Sequence, residues 1–133
     1  MARVHGKDLS TLSVDDSGGT PVSMLADTIS LDFGVSVETH DTTTLGDDWM
    51  EATAGLKGGD DITQELFYDN TNTTGNWAIL TARFGLSGTL SFGDGTRTVS
   101  METIVTKLGL PIAVNDMMKV SVTHKLTGAV TFS

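Results

Sequence analysis

The side chains best suited to catalysis or metal binding are three scattered histidines, His5, His40 and His124. Only His40 has carboxylates beside it, with Glu38 and Asp41 close in sequence, and these three residues could in principle coordinate a metal ion. On an extended strand, however, adjacent side chains point to opposite faces, which separates His40 from Asp41. We therefore expect no metal site here and no cofactor.

The motifs that usually mark an active site are also missing from the sequence. There is no Gly-x-Ser-x-Gly elbow, no His-Glu-x-x-His zinc pair and no phosphate-binding loop. The absence of cysteine removes disulfides, thiolate metal sites and cysteine nucleophiles together. His124 lies among apolar residues of its strand, which favours a satisfied core or interface histidine over a catalytic one. Without a matched acid, base and nucleophile, we expect a protein that is not an enzyme.

Acidic residues cluster in one segment of the chain, at Asp47, Asp48, Glu51, Asp60 and Asp61. They lack the spacing of a calcium-binding loop, in which the first, third and fifth positions precede a glycine. A solvated loop surface, or salt bridges to a neighbouring subunit, explains them better.

Composition indicates one globular domain spanning residues 1–133. Acidic residues outnumber Lys and Arg by 17 to 8, giving a net charge of -9, which argues against binding nucleic acid by phosphate neutralisation. The sequence has no apolar run long enough to span a bilayer and no signal-peptide pattern at its start, so we expect folding in a cytoplasm and no membrane contact.

The elements that would position any site are mainly strands. Apolar and polar residues alternate from Thr28 to Glu38, which predicts a half-buried strand bent at Gly34. Similar patterns predict further strands over residues 8–14, 61–68, 86–92, 96–105 and 118–132. With few crossover helices, the predicted fold class is all-β, a mainly antiparallel β-sandwich or small barrel.

One segment breaks the β pattern and predicts a short helix from Gly75 to Phe84. Trp77, Leu80 and Phe84 recur at helical spacing, so we expect this face of the helix to pack on the sheet.

Residues 40–60 form a long, polar, glycine-containing segment between two predicted strands. A structureless insertion of this length is uncommon in a compact domain and is usually functional. Trp49 is its most informative residue, because it is either an interface anchor or a lid folded back on its own domain. The segment supplies our candidates for contacts between subunits and between rings, namely Asp41, Leu45, Asp47, Asp48, Trp49, Met50, Leu56 and Lys57.

Taken together, the order and spacing of several short motifs resemble one protein family. The motifs are His5-Gly-Lys, Asp15-Asp-Ser-Gly-Gly, Ser36-Val-Glu-Thr, Asp41-Thr-Thr-Thr-Leu-Gly-Asp-Asp-Trp-Met-Glu, Gly55-Leu-Lys, Leu66-Phe-Tyr-Asp, Val114-Asn-Asp, Val120-Ser-Val-Thr and Leu126-Thr-Gly-Ala-Val-Thr. Over nearly its whole length the chain resembles the major tail tube proteins of bacteriophages with long, non-contractile tails.

This resemblance implies a structural virion protein located in the tail and assembled in the host cytoplasm. Six copies would close into a ring, and rings would stack into a hollow tube through which DNA passes without specific binding. The long loop would contact neighbouring subunits and the next ring. The implied partners are further copies of the chain, together with tape-measure, terminator and distal tail proteins.

The sequence leaves two questions open. Asp32, Ser36 and Glu38 are our candidates for an acidic lining of the lumen, but the same polar face could lie on the outside of the tube. A tail terminator or neck protein that forms a single ring, or a small β-barrel that binds a ligand, would also fit the predicted fold.

Overall fold

A computed structural model describes residues 3–46 and 48–133. It contains nine strands and one α-helix among these residues: β1 (Thr11–Asp15), β2 (Pro21–Ser23), β3 (Thr28–Asp32), β4 (Val35–Asp41), β5 (Ala52–Gly59), β6 (Ile62–Phe67), α1 (Asn76–Arg83), β7 (Ser87–Gly93), β8 (Thr98–Gly109) and β9 (Lys119–Phe132). All strand pairings are antiparallel, as the sequence predicted. The first predicted strand, over residues 8–14, begins later, at Thr11, and a short 3-10 turn at Gly6–Asp8 precedes it.

Seven strands form one sheet in the order β2-β1-β7-β8-β9-β6-β3, and β4 and β5 form a separate two-stranded hairpin. The register of β8 against β9 shifts twice, between Met101 and Thr103 and between Val105 and Lys107. Bulges of this kind bend and twist a strand. The two longest strands therefore belong to both halves of the sheet, with β1, β2 and β7 on one side and β3 and β6 on the other.

The core lies on one face of this sheet and is covered by α1. Strand residues of alternate parity supply it, so that Leu12, Val14, Leu66, Val120 and Val122 are almost completely buried. Helix residue Leu80 is buried in the same cluster, and Trp77 packs against it while making an edge-to-face contact with Tyr68. The predicted helix is thus confirmed to within one residue at each end.

Gly75 precedes the first helical residue. One detail of the helix differs from the sequence-based expectation. Phe84 is the residue after the helix and is 55% exposed, so it does not share the buried face with Trp77 and Leu80. Its backbone forms an isolated bridge to Val105 instead.

Arg83, the last residue of α1, fixes the helix to the sheet although it is charged. Its guanidinium is fully buried and donates hydrogen bonds to the carbonyl oxygens of Asp15 (2.8 Å), Thr103 (3.3 Å) and Leu86 (3.3 Å). Burial lowers the pKa of Arg83, and the nearby carboxylates of Asp15 and Glu102 oppose that shift. The hydrogen bonds compensate a charge that would otherwise be costly to bury.

Gly88 makes room for this arrangement. A Cβ atom placed on Gly88 would lie 2.6 Å from the nearest guanidinium nitrogen of Arg83. We expect Gly88→Ala to displace the buried cation and to lower the free energy of unfolding by roughly 2–4 kcal/mol. Chemical denaturation measures this change. Gly128→Ala is the control, because a Cβ there meets only ordinary contacts, and equal stability of the two variants would contradict the assigned role of Gly88.

Candidate functional site

The segment expected to be a structureless loop is largely a β-hairpin, which corrects the sequence-based interpretation. Strands β4 and β5 pair from Val35 with Gly59 to Asp41 with Ala52. The predicted strand over residues 28–38 is interrupted after Asp32, and its second half belongs to this hairpin. The alternation of apolar and polar residues does not mark a buried face in this part of the chain, because Val35 and Val37 lie on the hairpin and are exposed.

Hydrogen bonds hold the two strands of the hairpin together near its tip. The carboxylate of Asp41 accepts a bond from the amide of Thr43 (2.9 Å), and bonds from Thr43 lower the pKa of Asp41. The Thr43 hydroxyl in turn accepts a bond from the amide of Glu51 (2.7 Å). Asp41 therefore has a structural role in the turn.

The tip exposes large apolar side chains. At the tip, Leu45 and Met50 are exposed and Trp49 is 84% exposed, and Leu56 is exposed within β5. Trp49 is thus no lid on its own domain in the isolated chain, and the alternative of an interface anchor remains a prediction. Asp48 and Lys57 are exposed as well, while the prediction for Asp47 falls outside the described residues.

Charge is concentrated on this hairpin and its ends. Residues 35–61 contain seven of the 17 carboxylates of the chain but only one of its eight Lys and Arg residues. Most of the net charge of -9 therefore belongs to about a fifth of the sequence. The hairpin combines apolar area for burial with a net charge that opposes close approach of other hairpins.

The hairpin approaches the body of the protein near its base. A Cβ on Gly59 would lie 2.8 Å from a methyl group of Leu126, so the absence of a side chain allows the close approach to β9. An open apolar groove of about 650 Å³ lies between the hairpin and the second half of β9. Its lining includes Val35, Val37, Leu126, Val130 and Phe132.

The face of the sheet opposite the core is polar and rich in hydroxyl groups. One row of paired residues crosses four strands as Lys107, Thr123, Thr63 and Asp32. Of the predicted lumen-facing residues, Asp32 lies in this row at the edge of the sheet. Ser36 and Glu38 lie on the hairpin instead, and all three are exposed.

His124 is completely buried rather than available for chemistry. One of its ring nitrogens lies 3.1 Å from the side-chain oxygen of Gln64, which is also buried. No group of three or more His, Asp or Glu side chains within residues 3–46 and 48–133 is arranged to hold a metal ion. In the same residues, no helix is long and apolar enough to cross a membrane.

Sequence reasoning missed two parts of this surface and one feature of the interior. The groove and the position of Lys107 at a sheet edge were not predicted, and neither was the burial of Arg83. A usable signal existed for the hairpin, since the turn-forming residues Thr42 to Gly46 stand between two segments without helical periodicity.

Comparison with known structures places the whole chain in one fold. A subunit in the tail of an empty gene transfer agent particle, determined with C6 symmetry, superposes with a TM-score of 0.76 over 98% of this chain and 99% of that chain, at 19% identity. A subunit of the native gene transfer agent virion gives the same TM-score and coverage at 18% identity.

The tail tube of SPP1 has the same fold. It superposes with a TM-score of 0.73 over 98% of this chain and 78% of that chain, at 8% identity. No protein-family model matches the sequence, and no curated protein matches it. The predicted all-β fold is therefore confirmed, and these three structures share it.

The buried state of His124 makes a prediction about pH. Burial, with a smaller contribution from the charge of Arg83, lowers the pKa of His124 from 6.5 to about 4. The unfolded chain binds a proton at this residue near pH 6.5 but the folded chain does not, so folding stability falls as pH drops from 6.5 towards 4. We expect the loss to reach roughly 2 kcal/mol at pH 5, measured by urea unfolding.

A matched pair of variants isolates this contribution from the titration of carboxylates. His124→Gln should remove that part of the pH dependence, whereas His5→Gln, at an exposed position, should keep it. Identical pH profiles for the two variants would show that His124 titrates normally in the folded protein.

Proposed function

We propose that this protein is a structural subunit of a phage-type tail tube and that it performs no catalytic step. The observation that carries the proposal is the match of its fold, over 98% of this chain, to a gene transfer agent tail, a gene transfer agent virion and the SPP1 tail tube, at TM-scores of 0.73 to 0.76. Copies form hexameric rings, and stacked rings form the tube. This places the protein in the tail of a virion after assembly in the cytoplasm of the host.

The hairpin supports this proposal because few contacts within a monomer would stabilise it. An isolated two-stranded hairpin is marginally stable in water, and β4 is exposed along its whole length. Its tip exposes Trp49 and Met50, and aromatic residues commonly anchor protein interfaces. In the proposed tube, the hairpin lies on neighbouring subunits and on the next ring, with Leu45, Asp47, Asp48, Leu56 and Lys57 at or near the contact.

The apolar groove offers a second surface for assembly. It combines the exposed apolar residues at the base of the hairpin with the end of β9. Covering such a surface with a neighbouring copy removes apolar area from water at about 25 cal/mol per Å². This gain, with new strand pairing, must outweigh the repulsion among chains that each carry a net charge of -9.

The lumen is proposed to be lined by the polar face of the sheet. Helices placed inside a ring would narrow the channel from every side, because each helix is about 10–12 Å wide with its side chains. The core side with α1 is therefore placed outward, which leaves the hydroxyl-rich face with Asp32 towards the lumen. DNA passes such a wall without specific binding, and Ser36 and Glu38 continue the acidic character along the hairpin.

Other components of the tail complete the proposed assembly. Tape-measure, terminator and distal tail proteins are the expected partners, and no cofactor or membrane is required. Electron microscopy of the concentrated purified protein tests the function directly. Stacked rings or tubes are the expected result, single rings would indicate a terminator instead, and a monomer at every concentration would refute the proposal.

A substitution at the tip tests the role assigned to the hairpin. Trp49→Ala should leave folding intact, because exposed substitutions usually change stability by less than about 0.5 kcal/mol. If Trp49 contributes a typical hot spot of about 2 kcal/mol, the protein concentration needed for assembly should rise roughly 30-fold. Light scattering measures assembly, and circular dichroism measures folding.

Two further variants serve as controls for this experiment. Trp49→Phe keeps an aromatic anchor and should restore most of the assembly, whereas Trp77→Ala removes a residue packed on the core and should lower stability. If Trp49→Ala unfolds the monomer, or assembles like the parent protein, the hairpin tip is not the proposed anchor.

A further inference from the structure

The loop between β8 and β9, residues 110–118, is an apolar surface separate from the hairpin and the groove. Three of its side chains are largely exposed, Ile112 by 74%, Val114 by 100% and Met117 by 72%. Single exposed apolar side chains are ordinary on a protein surface, whereas several that lie together are typical of a surface covered by another molecule. The β8–β9 loop is therefore a candidate contact surface.

The β8–β9 loop is held in place at both ends. Leu110 packs against the core, and the carbonyl oxygen of Met118 accepts a hydrogen bond from the amide of Tyr68 (3.0 Å). Between these points the amide of Asp116 donates a hydrogen bond to the carbonyl oxygen of Ala113 (3.4 Å). An anchored loop loses less conformational freedom on binding than a free one, which favours association.

The β8–β9 loop and the apolar groove lie towards opposite ends of β9. The loop precedes Lys119, the first residue of the strand, whereas the groove is lined by strand residues from Leu126 onwards. At about 3.3 Å per residue, these two positions are roughly 23 Å apart, so the anchored loop lies away from the groove of its own chain. A second copy displaced along β9 brings its loop towards the groove of the first.

The charges of the two surfaces are complementary. Residues 107–119 contain two Lys and one Asp, a net charge of +1, whereas residues 35–61 contain seven carboxylates and one Lys, a net charge of -6. The one Asp of the first segment is Asp116, and the one Lys of the second is Lys57, which lines the groove. Opposite charges beside two apolar surfaces select the partner and fix its position.

Resting on the proposed tube, we propose that the β8–β9 loop of each copy docks in the groove of a copy in the next ring. Ile112, Val114 and Met117 lie against the apolar lining, and Asp116 forms an ion pair with Lys57. The groove, at about 650 Å³, is in the size range of pockets that enclose a small ligand, so it has room for the exposed side chains of a loop. The contact is head-to-tail, so it repeats from ring to ring.

Docking also fixes the hairpin relative to the body of the protein. The groove is lined on one side by residues of β4 and β5 and on the other by residues of β9. A loop that fills it contacts both sides at once. The apolar side chains at the base of the hairpin, Val35 and Val37, then become covered.

Val114→Asp tests the apolar part of the contact. The variant should fold, because Val114 is fully exposed, and it should form rings that do not stack. Burial of one valine side chain corresponds to about a tenfold change in affinity or more, and the loss recurs at every copy along a ring junction. Electron microscopy distinguishes rings from tubes. Val4→Asp makes the same change at another exposed position and should still give tubes.

Charge exchange tests the ion pair. Asp116→Lys and Lys57→Asp should each form rings that do not stack with their own kind, because like charges meet at every junction. The double variant should form tubes again. A mixture of the two kinds of ring should also form tubes, since alternating rings place Lys opposite Asp at every junction. Lys7→Asp, at an exposed position of the 3-10 turn, is the control and should assemble normally.

Carbodiimide cross-linking tests the ion pair in tubes of the parent protein. The reagent activates a carboxylate, and an amine in direct contact attacks the activated carbonyl, forms an amide bond and releases the reagent as a urea. Mass spectrometry of digested tubes should show Asp116 joined to Lys57. Monomers treated in the same way should not show this cross-link, because the two residues lie at different ends of the chain's own β9.

The outcomes separate this inference from the proposed function. Tubes formed by Val114→Asp, or parent tubes that show neither the charge rescue nor the cross-link, would overturn the docked loop and leave the tube proposal intact. Loss of stacking in Val4→Asp as well would attribute the effect to added charge and count against the docked loop. The same cross-link in single rings would place the contact within a ring and overturn it. Circular dichroism confirms that each variant is folded before its assembly is scored.

Discussion

The structure depends on a mismatch between what one chain can bury and what it exposes. Its core is complete, since the alternating residues of the sheet and one face of α1 are fully covered. The hairpin, the groove at its base and two strand edges have no comparable cover within the described residues. Unpaired strand edges invite association, and proteins normally protect them. Here β3 is the last strand of its sheet and β7 covers only residues 98–104 of β8, so both edges are open to association with identical copies.

The body of the protein is rigid, whereas the hairpin is adaptable. Arg83 ties α1 to three carbonyl oxygens of the body, and Gly88 leaves room for its guanidinium. The hairpin, by contrast, approaches the body chiefly where Gly59 meets Leu126. A rigid body can therefore form a wall of constant shape, while a loosely attached arm can adapt to its neighbours.

The sequence predicted the elements whose side chains face two different environments. Strands β7 and β9 alternate between core and solvent, and Trp77 and Leu80 mark the buried side of α1, so periodicity identified each of them. The hairpin is exposed on both faces, and backbone hydrogen bonds hold its two strands together. The sequence of β5 therefore has no alternation of apolar and polar residues from which the strand could be predicted. Phe84 fits the helical spacing, but the helix ends at Arg83 and leaves Phe84 outside.

The candidate site was predicted in part. Sequence pattern and resemblance directed attention to Trp49 and the acidic hairpin, and the structure shows that this side chain is exposed. The edge positions of Asp32 and Lys107 could not be predicted, because they depend on strand order and on where β7 stops covering β8. The register of the strands places these distant residues in one row, and this register cannot be read from the sequence.

Hydrogen exchange of the β4 and β5 amides, compared between free monomer and assembled protein, tests most directly whether neighbouring copies complete this structure. The account predicts rapid exchange in the monomer, with strong protection after assembly, while β9 is protected in both states. Equal protection of the hairpin before and after assembly would show that the single chain already stabilises it, which would contradict the account.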